Sequence, residues 1–476
     1  MFLGVAKAWQ ELGLILFSNL HLFSNSSSLE QRTENSMNTS NSMPVAIIGA
    51  GPVGLAAAAH LTVRNQPFIL FEVGDSVASN ILSWKHIRVF SPWRYNIDKA
   101  ARQLLRETKW QAPDDGGLPT GEELYLRYFK PFSELPAIKP NILLNHKVVS
   151  IGRKNMDKMK SRGRQELPFV VQVRHENETR QYEAKAVIDA SGTWNSPNPI
   201  GSGGNYAVGE LENGDRIFYG IPDILNQHIE RYKNKNVLVV GSGHSSINAI
   251  IELDKLKDRY PATEIHWALR KKNVRDVYGG QEADALEARG ALGIKIEQLV
   301  NEDRVNVYAP FQIQQLVNKN DKLTVIGFQD NEKAALPWID EIISNTGSRP
   351  DFSFLREVRL SIDPSLESVA EIAELIDPNI HSCGTVRPHG EKELQHPDKD
   401  FYIVGSKSYG RAPTFLMATG YEQVRSIVAA IDGDMEAARK VELELPETGV
   451  CSTDLGASAC CGVEAKPKAV KASCCG

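Results

Sequence analysis

Apolar positions fall into short runs closed by glycine or other small residues, the pattern of parallel strands buried on both faces and joined by helices. Val45–Ile48 leads into Gly49-Ala-Gly51-Pro-Val-Gly54 and then the apolar stretch Leu55–Leu61, which predicts strand, tight turn and helix. Phe68–Phe71 predicts a strand ending at Glu72. Leu118-Pro-Thr-Gly-Glu-Glu123 predicts a helix start with Thr120 as N-cap, the helix running to Lys130 and ending or kinking at Pro131. Ile142–Ile151 and Phe169–Arg174 read as strands flanking a charged hairpin at 155–166. Ala186–Asp189 is a strand that closes on Ala-Ser-Gly-Thr193 before a proline-rich crossover to Ile200. Asn236–Val240 repeats the opening pattern, with Gly241-Ser-Gly243-His-Ser-Ser246 as its turn, and Glu264–Leu269 is the strand that follows. A return strand from Trp338 ends in Asn345-Thr-Gly347. Asp400–Gly405 leads to a helix over Ala412–Ile431, its N-terminal region near Pro413 and Thr414. The fold class is α/β, with two Rossmann-like units.

Both strand–turn–helix segments carry candidate chemistry. Gly49 permits the turn, Gly51 lets a pyrophosphate approach the backbone, and Gly54 lets helix and strand pack closely. The helix N-terminus offers free N–H groups to the phosphates. Glu72 stands where an acid binds the ribose hydroxyls of an adenosine, which a purely structural glycine turn would leave unexplained. In the second segment Gly241 and Gly243 recur, and Ser246 replaces the third glycine. The next strand ends not in an acid but in Arg270-Lys271-Lys272, cations that favour a 2′-phosphate and therefore NADPH over NADH. The aromatic loop Trp84–Trp93 either reaches toward a bound cofactor or packs on its own domain.

Composition narrows the class. The chain has 476 residues, 42% hydrophobic and 24% charged, enough for two or three globular domains. Its net charge of −5 argues against nucleic acid or an anionic membrane as partner. No cysteine precedes Cys383, whereas Cys451, Cys460, Cys461, Cys474 and Cys475 crowd the end, which suits a reducing cytoplasmic setting better than a disulfide scaffold. The apolar run Leu12–Phe17 is too short to span a membrane and makes a poor signal peptide. Residues 1–43 therefore read as a disordered or mis-called N-terminal extension, and 441–476 as a flexible Cys-rich tail.

Two dinucleotide motifs, the second nested between segments ending in Ala-Ser-Gly-Thr and Asn-Thr-Gly-Ser-Arg-Pro, resemble the two-dinucleotide-binding flavoproteins, and among them the flavin-containing monooxygenase group. Ile380–Gly390, Lys407–Leu416 and Leu445–Cys451 are similar to segments of flavoprotein monooxygenases found with bacterial arsenic-resistance operons. The resemblance implies FAD at Gly49, Gly51, Gly54, Glu72 and Gly405, and NADPH at Gly241, Gly243, Ser246 and Arg270. It implies an FAD-binding domain of residues 44–220 and 336–440, with an NADPH-binding domain, 221–335, inserted. The helix after Gly405 would aim its N-terminus at the flavin. Trp93, Tyr409 and Arg411 are candidates for contact with flavin or substrate.

The implied activity is a monooxygenase consuming NADPH and O₂, acting through a C4a-(hydro)peroxyflavin on a small soft nucleophile: sulfur, nitrogen, trivalent arsenic or an organoarsenical. The usual fingerprint F-x-G-x-x-x-H is not intact, since Phe218-Tyr-Gly220 has no histidine four residues on. The alternatives are an NADPH-dependent reductase passing electrons to the vicinal Cys pairs or a thiol-bound metal ion, and a redox-sensing flavoprotein without turnover. The five tail cysteines are soft ligands, and vicinal pairs suit a shared thiophilic metalloid ion. Lys466, Lys468 and Lys471 favour their thiolates. Cys383, between His381 and His389, reads as a structural loop or as a metal or redox site.

Overall fold

Val45–Ile48 (β1) is apolar throughout and shielded from water on both faces, so it occupies the middle of a sheet. The computed structural model describes residues 43–284, 286–380, 386–413 and 415–443. The helix α1 (Pro52–Val63) follows β1, then β2 (Phe68–Phe71), α2 (Lys99–Arg106), β3 (Ile142–Leu143), β4 (Lys147–Arg153), β5 (Phe169–His175), β6 (Glu178–Ala184) and β7 (Ala186–Asp189). Next come β8 (Ile217–Tyr219), β9 (Asn236–Val240), α3 (His244–Arg259), β10 (Glu264–Ala268), α4 (Glu287–Asn301) and β11 (Asn306–Tyr308). Then follow β12 (Gln312–Lys319), β13 (Lys322–Gln329), β14 (Glu332–Ala335), β15 (Glu341–Ser344), β16 (Phe401–Ile403) and α5 (Met417–Ile431), with a short helix at Met435–Arg439 after it.

Two five-stranded parallel sheets result, one in the order β16-β7-β1-β2-β3 and one in the order β11-β10-β9-β15-β8. Two antiparallel sheets, β4-β5-β6 and β12-β13-β14, accompany them. This is an α/β fold with two Rossmann-like units. Ala56–Ala59 of α1 are fully buried; their small side chains let α1 pack closely against β1 and α5. Among the described residues no helix is long and apolar enough to cross a membrane.

Several elements depart from the sequence reading. Thr120 caps its helix with Glu123 in a reciprocal capping box, but Pro131 does not end it: a wide π-turn at Tyr125–Phe129 precedes Lys130–Ser133 and places Pro131 in the first turn of a new α segment, where a missing N–H costs little. Ile142–Ile151 is two strands in different sheets, broken where Asn145 takes φ +58°. α5 begins at Met417 rather than at Ala412, so its first turn does not contain Pro413; Thr414 lies outside the described residues. β8 and β15 fall inside the ranges expected for the first domain, 44–220 and 336–440, yet both pair in the second sheet, where Ile217, Ile342 and Ile343 complete the apolar core.

Candidate functional site

The two glycine turns stand at the carboxyl ends of β1 and β9, where open parallel sheets place their ligands. Gly49 has φ +98°, and a Cβ there would meet the Ala190 carbonyl oxygen at 2.8 Å. A Cβ on Gly54 would lie 1.9 Å from the Gly49 carbonyl oxygen, so α1 can start only with glycine at this point. Around Gly51, by contrast, nothing lies within 4 Å of the added Cβ, which leaves the backbone open to a ligand. The second turn repeats this arrangement: Gly241 has φ +132° and a Cβ would meet the Asn345 carbonyl oxygen at 2.3 Å, while Gly243 faces open space.

Glu72 is nearly buried, and its carboxylate accepts from Ala50 N (2.7 Å), Gly74 N (2.8 Å) and Ser79 Oγ (3.2 Å). It staples the first turn to the chain after β2, and a carboxylate with about four acceptor positions retains capacity for a further donor. Ser246 is fully buried and donates to the Gly243 carbonyl oxygen (2.6 Å), so it closes the second turn rather than facing a ligand. Gly405 has φ +69°, packs against Val53 and donates its N–H to Gln423 Oε1 (2.8 Å).

A cavity of about 540 Å³ opens beside the second turn and reaches Thr193 and Ser406 of the first sheet's loops, but Gly49, Gly51, Gly54 and Glu72 do not line it. Its walls bring together Gly241, Gly243, Arg270, Arg411 and Ser406. Arg270 is exposed and donates to the Ser202 carbonyl oxygen (3.1 Å), and Lys271 Nζ donates to the Asp276 carbonyl oxygen (2.8 Å). Arg411 is also exposed, at the mouth near Gly204. Trp93 and Tyr409 are not on the cavity wall. Trp93 lies in the core of the first unit, and Tyr409 packs between His389 (5.5 Å) and Phe415 (5.3 Å), where burial pushes its hydroxyl pKa up. The aromatic of the 84–93 loop that reaches the cavity is Phe90, whose ring lies 5.2 Å from that of His244. Cys383, Cys451, Cys460, Cys461, Cys474 and Cys475 lie outside the described residues, and among the described residues no group of His, Cys, Asp or Glu could hold a metal ion.

Sequence reasoning missed two parts of the site. Lys407 follows the pocket-lining Ser406 and is fully buried. Its Nζ donates to Asp189 Oδ2 (2.7 Å), Ser191 Oγ (3.1 Å) and the Asp351 carbonyl oxygen (2.6 Å). This cation fastens the ends of β7 and β16 and the return crossover together. The second part is a ribbon formed by the two crossovers. Asn198 N donates to the Gly347 carbonyl oxygen (2.9 Å), Arg349 N to the Ser196 carbonyl oxygen (2.9 Å), and Thr346 Oγ1 to the Asn198 carbonyl oxygen (2.6 Å). Asn345 joins β8 to β15 by donating to the Gly220 carbonyl oxygen (2.8 Å), and its own Oδ1 is buried at the cavity without a partner. The Asn-Thr-Gly end of the return strand was the only sequence signal for this ribbon. At the position of the missing fingerprint histidine stands Ile224, fully buried in the second unit.

Residues 46–371 match the family model described as pyridine nucleotide-disulphide oxidoreductase. A ferredoxin–NADP reductase of Lactobacillus gasseri is 22% identical over 345 residues, covering 71% of this chain and 85% of that protein. Among solved structures, the bacillithiol disulfide reductase of Bacillus cereus aligns with a TM-score of 0.62 at 17% identity, over 82% of this chain and 99% of that one. A cadaverine monooxygenase of Erwinia amylovora, solved with FAD bound, aligns with a TM-score of 0.59 at 12% identity, over 86% of this chain and 99% of that one.

Proposed function

The chain belongs to the pyridine nucleotide-disulphide oxidoreductase family, and from that premise we propose that it is an FAD-dependent, NADPH-consuming monooxygenase acting on a small, soft nucleophile. The observation that carries this reading is the placing of the cysteines: the first 382 residues, which supply both glycine turns and both parallel sheets' first strands, contain none. A disulfide reductase of the usual kind carries a closely spaced thiol pair beside its flavin; no such pair stands in the first 382 residues, which favours a diffusible electron acceptor.

The open faces over Gly51 and Gly243 fit the close backbone approach of two dinucleotides. In this assignment Gly49, Gly51, Gly54 and Glu72 hold FAD with Gly405 supporting its turn, and Gly241, Gly243 and Arg270 form the NADPH site, with Ser246 closing its turn. Bound FAD supplies hydride acceptance and oxygen activation. The chain's own residues bind, orient and exclude water. Phe90, Phe415 and Leu416 give the cavity an apolar wall, and Arg411 is placed to hold the polar end of a substrate. A thiophilic substrate, trivalent arsenic or an organoarsenical, is supported by the tail sequence, where Cys451 and the pairs Cys460-Cys461 and Cys474-Cys475 would capture the metalloid in the cytoplasm.

The rival reading, a reductase, is favoured by the name of the Lactobacillus relative. The two separate by stoichiometry in NADPH-driven turnover, with oxygen uptake, free hydrogen peroxide and product followed with and without arsenite or a methylated trivalent arsenical. Substrate-stimulated oxygen uptake with oxygenated product and little peroxide supports the monooxygenase. Turnover of an acceptor without oxygen, blocked by cutting the chain after Pro446, overturns it in favour of the tail-directed reductase.

A further inference from the structure

The loop 84–93 of the first unit touches the second unit at two places. At one, Phe90 lies against His244 at the start of α3, with the Arg289 guanidinium 5.9 Å from its ring, and all three line the cavity. At the other, His86 Nε2 stands 3.9 Å from Glu252 Oε2 on α3. Both atoms are buried, and neither has a hydrogen-bond partner. Burying two such atoms unpaired is costly, and a small closing motion would pair them if one carried a proton.

The local chemistry says which one. Burial lowers the affinity of His86 for a proton, with the Asp223 charge and the hydrogen bond to the Pro222 backbone opposing it, which favours the neutral imidazole, whose Nε2 can accept. Burial raises the Glu252 carboxyl to about 7, with the Asp223 charge adding to the rise, and the Ile224 backbone and Lys255 opposing it. Asp223 faces both groups; Lys85 and His228 also face His86, and Arg231 faces His228. A protonated Glu252 would donate to His86 Nε2.

We propose that His86 and Glu252 are positioning residues for the reaction: closing the two dinucleotide-binding units over the cavity takes up one proton, held between Glu252 and His86, and its loss loosens the Phe90 loop from α3. The proton moves between solvent and the Glu252 carboxylate, with no redox change. Linkage fixes the pH dependence. A carboxyl titrating near 4.5 when the units part and near 7 when they close makes closure weaken as pH rises between those values and level off above. From pH 5.5 to 8 the closing equilibrium falls roughly 30-fold.

Hydrogen–deuterium exchange of the flavin-loaded full chain, corrected for intrinsic rates, tests this on peptides covering 84–93 and 247–259, together with the pH profile of anaerobic flavin reduction by NADPH. The expected result is a protection loss of roughly 30-fold between pH 5.5 and 8 in the parent protein and less than about threefold in Glu252→Gln. Asp223→Asn, a milder change, should make protection level off at a lower pH. Equal pH dependence in the parent protein and Glu252→Gln overturns the proposal, as does Asp223→Asn leaving the profile unmoved. Exchange reads domain closure directly, so the outcome is independent of whether the enzyme proves to be a monooxygenase or a reductase.

Discussion

Replacing Lys407 by methionine tests whether the buried cation organises the floor of the site. Asp189 and Lys407 are both fully shielded, with side-chain exposures of 0% each. The ammonium also lies 4.4 Å from the Phe354 ring centroid and 5.4 Å from that of Phe352. Methionine keeps most of the volume but leaves the Asp189 carboxylate without its counter-charge, since only Ser191 N and Oγ remain to donate to it. Breaking one side of a buried pair costs about 3–5 kcal/mol. Removing both charges in Asp189→Asn/Lys407→Met should recover about 2 kcal/mol of that loss, because a neutral pair carries no buried charge. Urea unfolding followed by tryptophan fluorescence, run with excess FAD on Lys407→Met, Asp189→Asn and the double variant, measures all three differences as one cycle. Lys407→Met within about 1 kcal/mol of the parent, or a double variant no better than the single one, would refute the reasoning.

Two further outcomes follow from individual side chains. His396 Nδ1 accepts from Ser361 N (3.1 Å), its Nε2 is buried without a partner, and burial depresses its pKa to about 4. An unfolded histidine protonates near 6.5, so this stabilisation is complete above that value and is lost as pH falls toward 4. Lowering pH from 7 to 5 should therefore cost the parent about 2 kcal/mol more than His396→Asn, read from urea midpoints at the two pH values; equal losses would show that His396 does not contribute. On the cavity wall, Arg270→Ala should raise KM for NADPH about 10–100-fold and leave KM for NADH nearly unchanged, the effect of losing one charge-assisted hydrogen bond. Parallel changes in both would show that Arg270 acts through its Ser202 contact instead.

What could be read from the sequence was local. Each glycine turn announces itself within a dozen residues, because strand, turn and helix all depend on near neighbours, and both turns stand where the apolar pattern placed them. The aromatic loop was also legible, but not which ring it presents: Phe90 and Trp93 are both large and apolar, and only packing against α3 and the first core assigns one to the cavity and the other inward. Long-range pairings were invisible. Lys407 and Asp189 lie 218 residues apart, and a lysine in a glycine- and serine-rich segment gives no sign that it will be buried. Ile342 and Ile343 read as strand in either sheet; their place beside β9 is decided by which core has room for them. Pro131 signalled a helix end because the π-turn that accommodates it has no sequence marker of its own.

The arrangement of contacts around the cavity also bears on how it opens. The crossover ribbon is held by backbone bonds in both directions, reinforced by Asn198, Thr346 and the Ser348–Thr193 hydroxyl pair at 2.9 Å. Its ends carry glycines at positive φ, Gly192 at +68°, Gly220 at +119° and Gly347 at +84°, where the backbone turns without a Cβ to obstruct it. A rotation taken up at Gly192, which makes none of these bonds, keeps the ribbon paired. The same rotation must separate Phe90 from His244 and Arg289, and His86 from Glu252, contacts that include one tilted ring pair, one cation near a ring and one unformed hydrogen bond. The ribbon is thus the part of the interface that persists, and the 84–93 loop is the part that yields. A proton placed at Glu252 acts on the weaker of the two, where a change of about 1–2 kcal/mol is enough to move the population from mostly closed to mostly open.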